Sequence, residues 1–203
     1  MYSDFHDRHP PSDGVFPHTF SFNMKTLFTA RTVIRPWFLS DADDFFEYAS
    51  TPDVGPNAGW EPHRTRADSV NVIKNYFMRT YYHWAIVLPD LNKVIGGIGV
   101  TQDPKRSFPN AKALGYSMSK RFWGHGYMTE AAQAVISYAF KELNTKLLSA
   151  YHYSFNERSK RVIEKCGFTY EGKLRLCSQP YPGVLHDDCC YSMTRDEFNR
   201  LYL

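Results

Sequence analysis

The sequence lacks any long hydrophobic run: nowhere do apolar residues continue for the roughly 20 positions that a membrane-crossing helix needs. Residues 1–22 are polar, with Pro, Asp and His throughout and no apolar h-region. A secretory signal is therefore not expected, and the chain reads as cytoplasmic with no membrane partner. Neither sign of charge is in excess. Lys and Arg number 24 against 21 Asp and Glu, a formal net charge of +3, too mild to argue for nucleic acid, whose binders gather basic residues on one face. Cysteine is scarce and late in the chain, at Cys166, Cys177, Cys189 and Cys190, with no C-x-x-C spacing, so no metal site is expected. Cys166 falls on the apolar face of a helix, where a thiol behaves as a small hydrophobe. Adjacent Cys189 and Cys190 point to opposite faces if they lie on a strand.

What is present suits one globular domain. A chain of 203 residues with 43% hydrophobic and 22% charged residues can bury a proper core. Aromatics reach 16%, which reads as core packing plus an aromatic-lined groove. Pro10, Pro11, Gly14 and Pro17 break any period near the start, so residues 1–23 read as a mobile or loosely docked extension and 24–203 as the functional domain.

Residues 31–35 form a β-rich run stopped by Pro36. Ser40 then offers an N-cap to a short helix in which Ala42, Phe45, Phe46 and Ala49 share a face. Pro52, Gly55, Pro56, Gly59 and Pro62 make 51–65 a loop, and 68–79 reads as a helix with Val72, Ile73, Tyr76 and Phe77 inward. Strands at 84–88, 94–100 and 113–118 form an antiparallel meander. The period then switches: Met128, Ala131, Ala132, Val135, Ala139, Phe140 and Leu143 make the clearest helical stripe in the chain. A buried strand follows at 147–153, then a helix at 156–166 with Asn156 as N-cap and Gly167 at its C-terminal stop. Strands near 170–177 and 188–193 close an α/β (α+β) fold, a mixed sheet with helices packed on its faces.

Two segments carry chemistry. Between a strand and the best helix stands Lys120-Arg121-Phe122-Trp123-Gly124-His125-Gly126-Tyr127-Met128-Thr129-Glu130. Gly124 and Gly126 permit a tight turn that exposes successive N–H groups at a helix N-terminus, which suits a phosphate or pyrophosphate. A Walker A loop is excluded, since no Gly-Lys-Ser/Thr occurs, and a G-x-G-x-x-G fingerprint fails at Thr129. Asn156-Glu157-Arg158-Ser159-Lys160-Arg161 opens the next helix. Basic residues in a helix's first turns oppose its macrodipole, so a polyanionic ligand lying across both N-termini explains them better than helix stability does. The plainer alternative is a solvated face with Arg158 and Lys160 paired to Glu157 or Glu164.

Arg121-x-x-Gly124-x-Gly126, continued by Thr129-Glu130-Ala131-Ala132, resembles the signature of the GNAT superfamily of acyl-CoA-dependent N-acetyltransferases. So does Asn156-x-x-Ser159-x-x-Val162-Ile163-Glu164-Lys165-x-Gly167-Phe168, together with Leu114-Gly115-Tyr116 and Val33-Ile34-Arg35-Pro36. The whole set, over residues 29–193, is similar to the branch containing the ribosomal-protein N-terminal alanine and serine acetyltransferases. That resemblance implies a mostly antiparallel sheet splayed in the middle, acetyl-CoA as co-substrate, no metal, and a monomer or homodimer. It implies that Ser117 and Met118 pair with pantetheine. Arg121, Gly124, His125, Gly126, Met128 and Thr129 would surround the phosphates, and Asn156, Ser159 and Lys160 would meet the distal cofactor arm.

The acceptor would be a protein or peptide N-terminal amine. The alternatives are a small-molecule amine (polyamine, amino sugar or drug) or a catalytically inactive CoA-binding module. Many relatives carry a glutamate just before Leu-Gly-Tyr and a tyrosine in the later helix, whereas Ala113 and Ile163 stand here. Ser159 and Tyr116 remain as candidate acids, and Glu61, His63, Asp103 and His186 as candidate bases. Trp60, Glu61 and His63, in the Pro-rich loop, would help to shape the acceptor site.

Overall fold

Eight strands, from the fully buried β3 to the largely exposed β7, join one sheet in the order β1-β2-β3-β4-β5-β6-β8-β7 in the computed structural model, which describes residues 24–80 and 82–203. The strands are β1 (Leu27–Phe28), β2 (Val33–Pro36), β3 (His83–Leu88), β4 (Lys93–Gln102), β5 (Ala111–Met118), β6 (Leu147–Tyr153), β7 (Thr169–Ser178) and β8 (His186–Thr194). Every neighbouring pair is antiparallel except β5 with β6. The expected mixed sheet and its meander, β3-β4-β5, are both present. The proposed extension, residues 1–23, lies outside the described residues.

Helices α1 (Ala42–Ala49), α2 (Gly55–Ala58) and α3 (Arg66–Val72) sit together in sequence, and α1 and α3 cover one face of the sheet. Trp37, Phe45, Ile73 and Phe77 pack there on Ala85 and Val87. Helices α4 (Tyr127–Glu142), α5 (Glu157–Lys165) and α6 (Arg195–Tyr202) cover the other face, where Trp84, Ile98, Leu114 and Leu148 meet Val135, Ile136, Ile163 and Phe198.

Local chemistry explains where these elements differ from expectation. Helix α1 is not capped by Ser40. Asp41 instead accepts from the Phe38 amide at 2.8 Å and from both terminal nitrogens of Arg35, closing a 3-10 turn that leads into the helix. The helix expected over 68–79 begins earlier, because Thr65 and Asp68 cap it reciprocally, and it widens into a π-helical turn at Ile73–Phe77. The loop at 51–65 holds the single turn of α2. Helix α6 follows β8 through a Thr194–Glu197 capping box, and Phe198 stacks on Phe140 at 4.6 Å. Asn156 caps α5 as its position implied, accepting from the Ser159 amide at 3.1 Å, and Gly167 ends that helix with φ of 82°.

Candidate active site

Strands β5 and β6 run side by side only from Ala111↔Leu147 to Leu114↔Ala150. Beyond that point they part, while β5 stays paired to β4 through Met118 and β6 to β8 through Tyr153. A cleft of about 1080 Å³ passes through the resulting gap, large enough for a nucleotide-bearing cofactor and an acceptor together.

On the face of α4 and α5 the cleft is bounded by Gly124, Gly126, Met128, Thr129, Tyr116 and Ser159. Gly124 and Gly126 adopt φ of 81° and 82°, the left-handed region that other residues enter at a cost. Gly126 is the N-cap of α4, and the first hydrogen bond of that helix runs from Glu130 N to Gly126 O. The amides of Tyr127, Met128 and Thr129 precede that bond and have no acceptor within the helix. Such a helix N-terminus is suited to an anion. Arg31 braces the loop from outside. It donates to the His125 carbonyl at 3.0 Å and binds Glu130, and its guanidinium lies 4.6 Å from the centre of the Tyr127 ring. Fixing that carbonyl outward orients the following amide the other way.

Arg158, Arg161 and Lys165 of α5 also line this side, with Arg158 held 4.2 Å over the Trp123 ring. The Trp123 indole donates to the Met118 carbonyl at 2.8 Å, tying the end of β5 to the loop. Tyr116 donates to the Ser159 carbonyl at 3.1 Å, with Ser159 Oγ 3.0 Å away. Burial holds the Tyr116 phenol well above its ordinary pKa. Asn156 lines the cleft as well and donates to the Asn57 carbonyl.

On the opposite face the cleft meets His83, Gly99, Asp103, Lys105, Tyr151 and Asp188. Asp103 is buried and accepts from Arg106, Ser149, Tyr151 and the Lys105 amide. Lys105 and Ser178 bind one oxygen of Asp188 at 2.9 and 2.8 Å. Its other oxygen is buried with no hydrogen-bond partner among the described residues.

Of the residues expected at the site, Tyr116, Ser117, Met118, Gly124, Gly126, Met128, Thr129, Asn156 and Ser159 come together around the cleft. Arg121, His125 and Lys160 stand outside its wall, and Lys160 pairs with Glu157 at 3.6 Å. Trp60, Glu61 and His63 also lie apart from it. Glu61 binds Arg64, while His63 contacts Ser69 at 2.8 Å and lies edge-on to Phe45. His186 packs against Phe155 at 4.7 Å. Ala113 and Ile163 are both buried. His83, Tyr151 and Asp188 belong to no motif that marked them in advance, whereas Arg161 and Lys165 stand within the α5 motifs without having been assigned a role. Cys166 is buried as its helical position implied, which pushes its thiol up to about 12.

Residues 31–169 match the family model of the acetyltransferase (GNAT) domain. The chain belongs to the GNAT acetyltransferase family. It is similar to the uncharacterized N-acetyltransferase p20 of Bacillus licheniformis, 28% identical over 86% of this chain and 99% of that one. Over 109 residues it is 31% identical to the FsC-acetyl coenzyme A-N(2)-transacetylase of Aspergillus fumigatus, covering 53% of this chain and 46% of the relative. A GNAT-family acetyltransferase from Bacillus anthracis superposes with a TM-score of 0.75 at 25% identity, over 85% of this chain and all of that one. A ribosomal-protein-S5-alanine acetyltransferase from Vibrio fischeri shares the fold, with a TM-score of 0.68 at 22% identity over 86% and 98% of the two chains. The protein is an acetyl-CoA-dependent N-acetyltransferase, and the residues present fit that co-substrate. The orphan amides of α4 suit a pyrophosphate, the cations of α5 stand near by, and the gap beside β5 has room for an extended arm.

Proposed function

We propose that this enzyme acetylates a protein or peptide N-terminal amine by direct attack on acetyl-CoA in a ternary complex. The observation that carries this reading is the state of the carboxylates on the acceptor face. Asp103 is already engaged by Arg106, Ser149 and Tyr151, and Asp188 is neutralised by Lys105. Asp103 has both oxygens engaged and Asp188 has one oxygen held by Lys105 and Ser178, so a lysine-like amine, of which only about one part in 10³ is neutral at pH 7, meets no cleft carboxylate without a compensating cation. An α-amine of pKa ~8 is neutral to roughly one part in ten and needs far less help.

In this reading the amides of the Gly124–Thr129 loop hold the pyrophosphate, and Arg158, Arg161 and Lys165 answer the remaining phosphate charge. Ser117 and Met118 border the pantetheine arm. The side chains of Arg121 and Lys160 contribute only long-range field, and His125 acts through its backbone. Tyr116 and Ser159 form a hydrogen-bonded pair placed to return a proton to the departing thiolate. Trp60, Glu61 and His63 support the acceptor side from behind α1 and α3.

A second reading, a small-molecule amine, is favoured by the Aspergillus relative, whose name assigns it transfer to an N(2) position. Release of CoA thiol with peptides beginning in Ala or Ser, polyamines and aminoglycosides separates the two. Turnover on peptides is expected. Strong turnover on a polyamine with none on any peptide overturns the first reading.

A further inference from the structure

We propose that His83 accepts the proton of the acceptor amine, which reaches the thioester across a two-glycine floor made by Gly99 and Gly115. The proposal rests on the acetyltransferase reading of the cleft and not on which amine is used.

The floor comes first. Gly99 of β4 and Gly115 of β5 are directly paired, and both border the cleft. Their neighbours Ile98, Val100 and Leu114 point into the core beneath α4, so the bare faces of both glycines turn to the acceptor side. A side chain on Gly115 would meet nothing within 4 Å. Gly115 is also the first residue of β5 past its last partner on β6, so the floor ends at the mouth of the gap.

At the other end of the floor lies His83. Position 83 pairs with Gly99, and the imidazole leans over that glycine so closely that a Cβ there would stand 2.5 Å from Nδ1. Only glycine admits the ring. Adjacent strands are about 4.8 Å apart, which places the ring roughly one strand spacing from the mouth of the gap. In the proposal the amine sits above Gly115, one hydrogen bond of about 3 Å from the imidazole.

The ring is held in place by Tyr76 and Phe77, at 4.9 and 5.6 Å, yet its Nε2 is buried without a hydrogen-bond partner among the described residues. An unpaired buried polar atom is costly, so it calls for an explanation such as a ligand. Burial pushes the imidazole down to about 4, so at pH 7 it is neutral and has a lone pair to offer. Asp188 also has an oxygen unpartnered among the described residues, but that residue stands on β8, across the gap from Gly115, and is paired with Lys105. Asp103 is saturated, and Glu61, His63 and His186 are outside the cleft. His152, whose Nε2 is likewise buried without a partner among the described residues, faces the α4 side, away from the two-glycine floor, and its Nδ1 donates to the Tyr153 carbonyl at 2.8 Å.

The step balances. The amine nitrogen forms the C–N bond at the thioester carbon and becomes acidic as it does so, and one N–H proton passes to His83. The C–S bond breaks with its electron pair going to sulfur, and the thiolate takes up a proton through the Tyr116–Ser159 pair, which is refilled from water. His83 returns its own proton to water. So weak a base suits a nitrogen that turns acidic only during bond formation, not a free ammonium.

The experiment compares His83→Gln and His83→Ala with the wild type on the amine that the wild type prefers, so the choice of amine tests the acceptor reading and the variants test His83. Acetyl-CoA affinity by calorimetry and the melting curve should stay close to wild type, while kcat falls at least ~10²-fold in both. Imidazole added to the buffer should restore His83→Ala by tenfold or more, which a merely structural role for the ring would not give. If His83→Ala fails to fold, the kcat of His83→Gln decides. A folded variant with kcat within threefold of wild type overturns the proposal. So does a loss in folded His83→Ala that imidazole leaves untouched.

Discussion

Replacing Gly126 by Val tests the cofactor loop at its tightest point. Gly126 has φ of 82°, and a Cβ there would meet only Arg31 Nη2 at 3.4 Å. Space is therefore not the obstacle; backbone strain is. A β-branched residue in the left-handed region costs on the order of 1–3 kcal/mol, which the loop can escape only by turning its peptides away from the cleft. Misaligning two amides of the α4 N-terminus would forfeit two charge-assisted hydrogen bonds at ~1.5–3 kcal/mol each. At 1.4 kcal/mol per tenfold, acetyl-CoA affinity should fall by about 10²–10⁴. Titration calorimetry measures this directly, with circular dichroism to establish that the variant is folded. Pantetheine, which lacks the pyrophosphate, should bind the wild type and the variant alike, whereas dephospho-CoA should still sense the change. A folded Gly126→Val protein that binds acetyl-CoA like the wild type would refute the assignment of the loop.

Two further outcomes follow from neighbouring contacts. Arg31→Ala removes the brace on the His125 carbonyl and should weaken acetyl-CoA by roughly 3–10-fold in the same titration, a modest loss because the half-exposed guanidinium is screened by solvent. His83 makes the fold acid-sensitive: its imidazole titrates at about 4 when folded and ~6.5 when unfolded, so the unfolded chain binds more protons between those values. Stability should fall as pH drops through that window, by about 3 kcal/mol in all, and urea unfolding of His83→Gln should lack this contribution.

Much of this architecture can be read from local pattern. The stripe of α4, the Asn156 cap and the Gly167 stop of α5 are short-range signals, and each holds in the structure. So was the Thr194-x-x-Glu197 box, a legible sign of α6 that strand patterning up to position 193 overlooked. The cofactor side was legible because orphan amides and glycines sit within one short segment. The brace on that segment was not, since Arg31 and His125 are 94 positions apart and nothing local links them.

The acceptor side shows the same limit more sharply. Glycine inside a strand weakens it and marks a close approach, so Gly97 and Gly99 in β4 signal that something packs upon them. The structure identifies what: a Cβ on Gly97 would stand 2.9 Å from the Trp37 ring, and one on Gly99 would meet His83. Both partners come from elsewhere in the chain and are fixed by strand register, which a one-residue shift would reverse. A sequence can therefore announce that a strand face must stay bare before it can say what lies over it. In this enzyme one of those bare glycines abuts a buried tryptophan, and the other forms the floor beside His83.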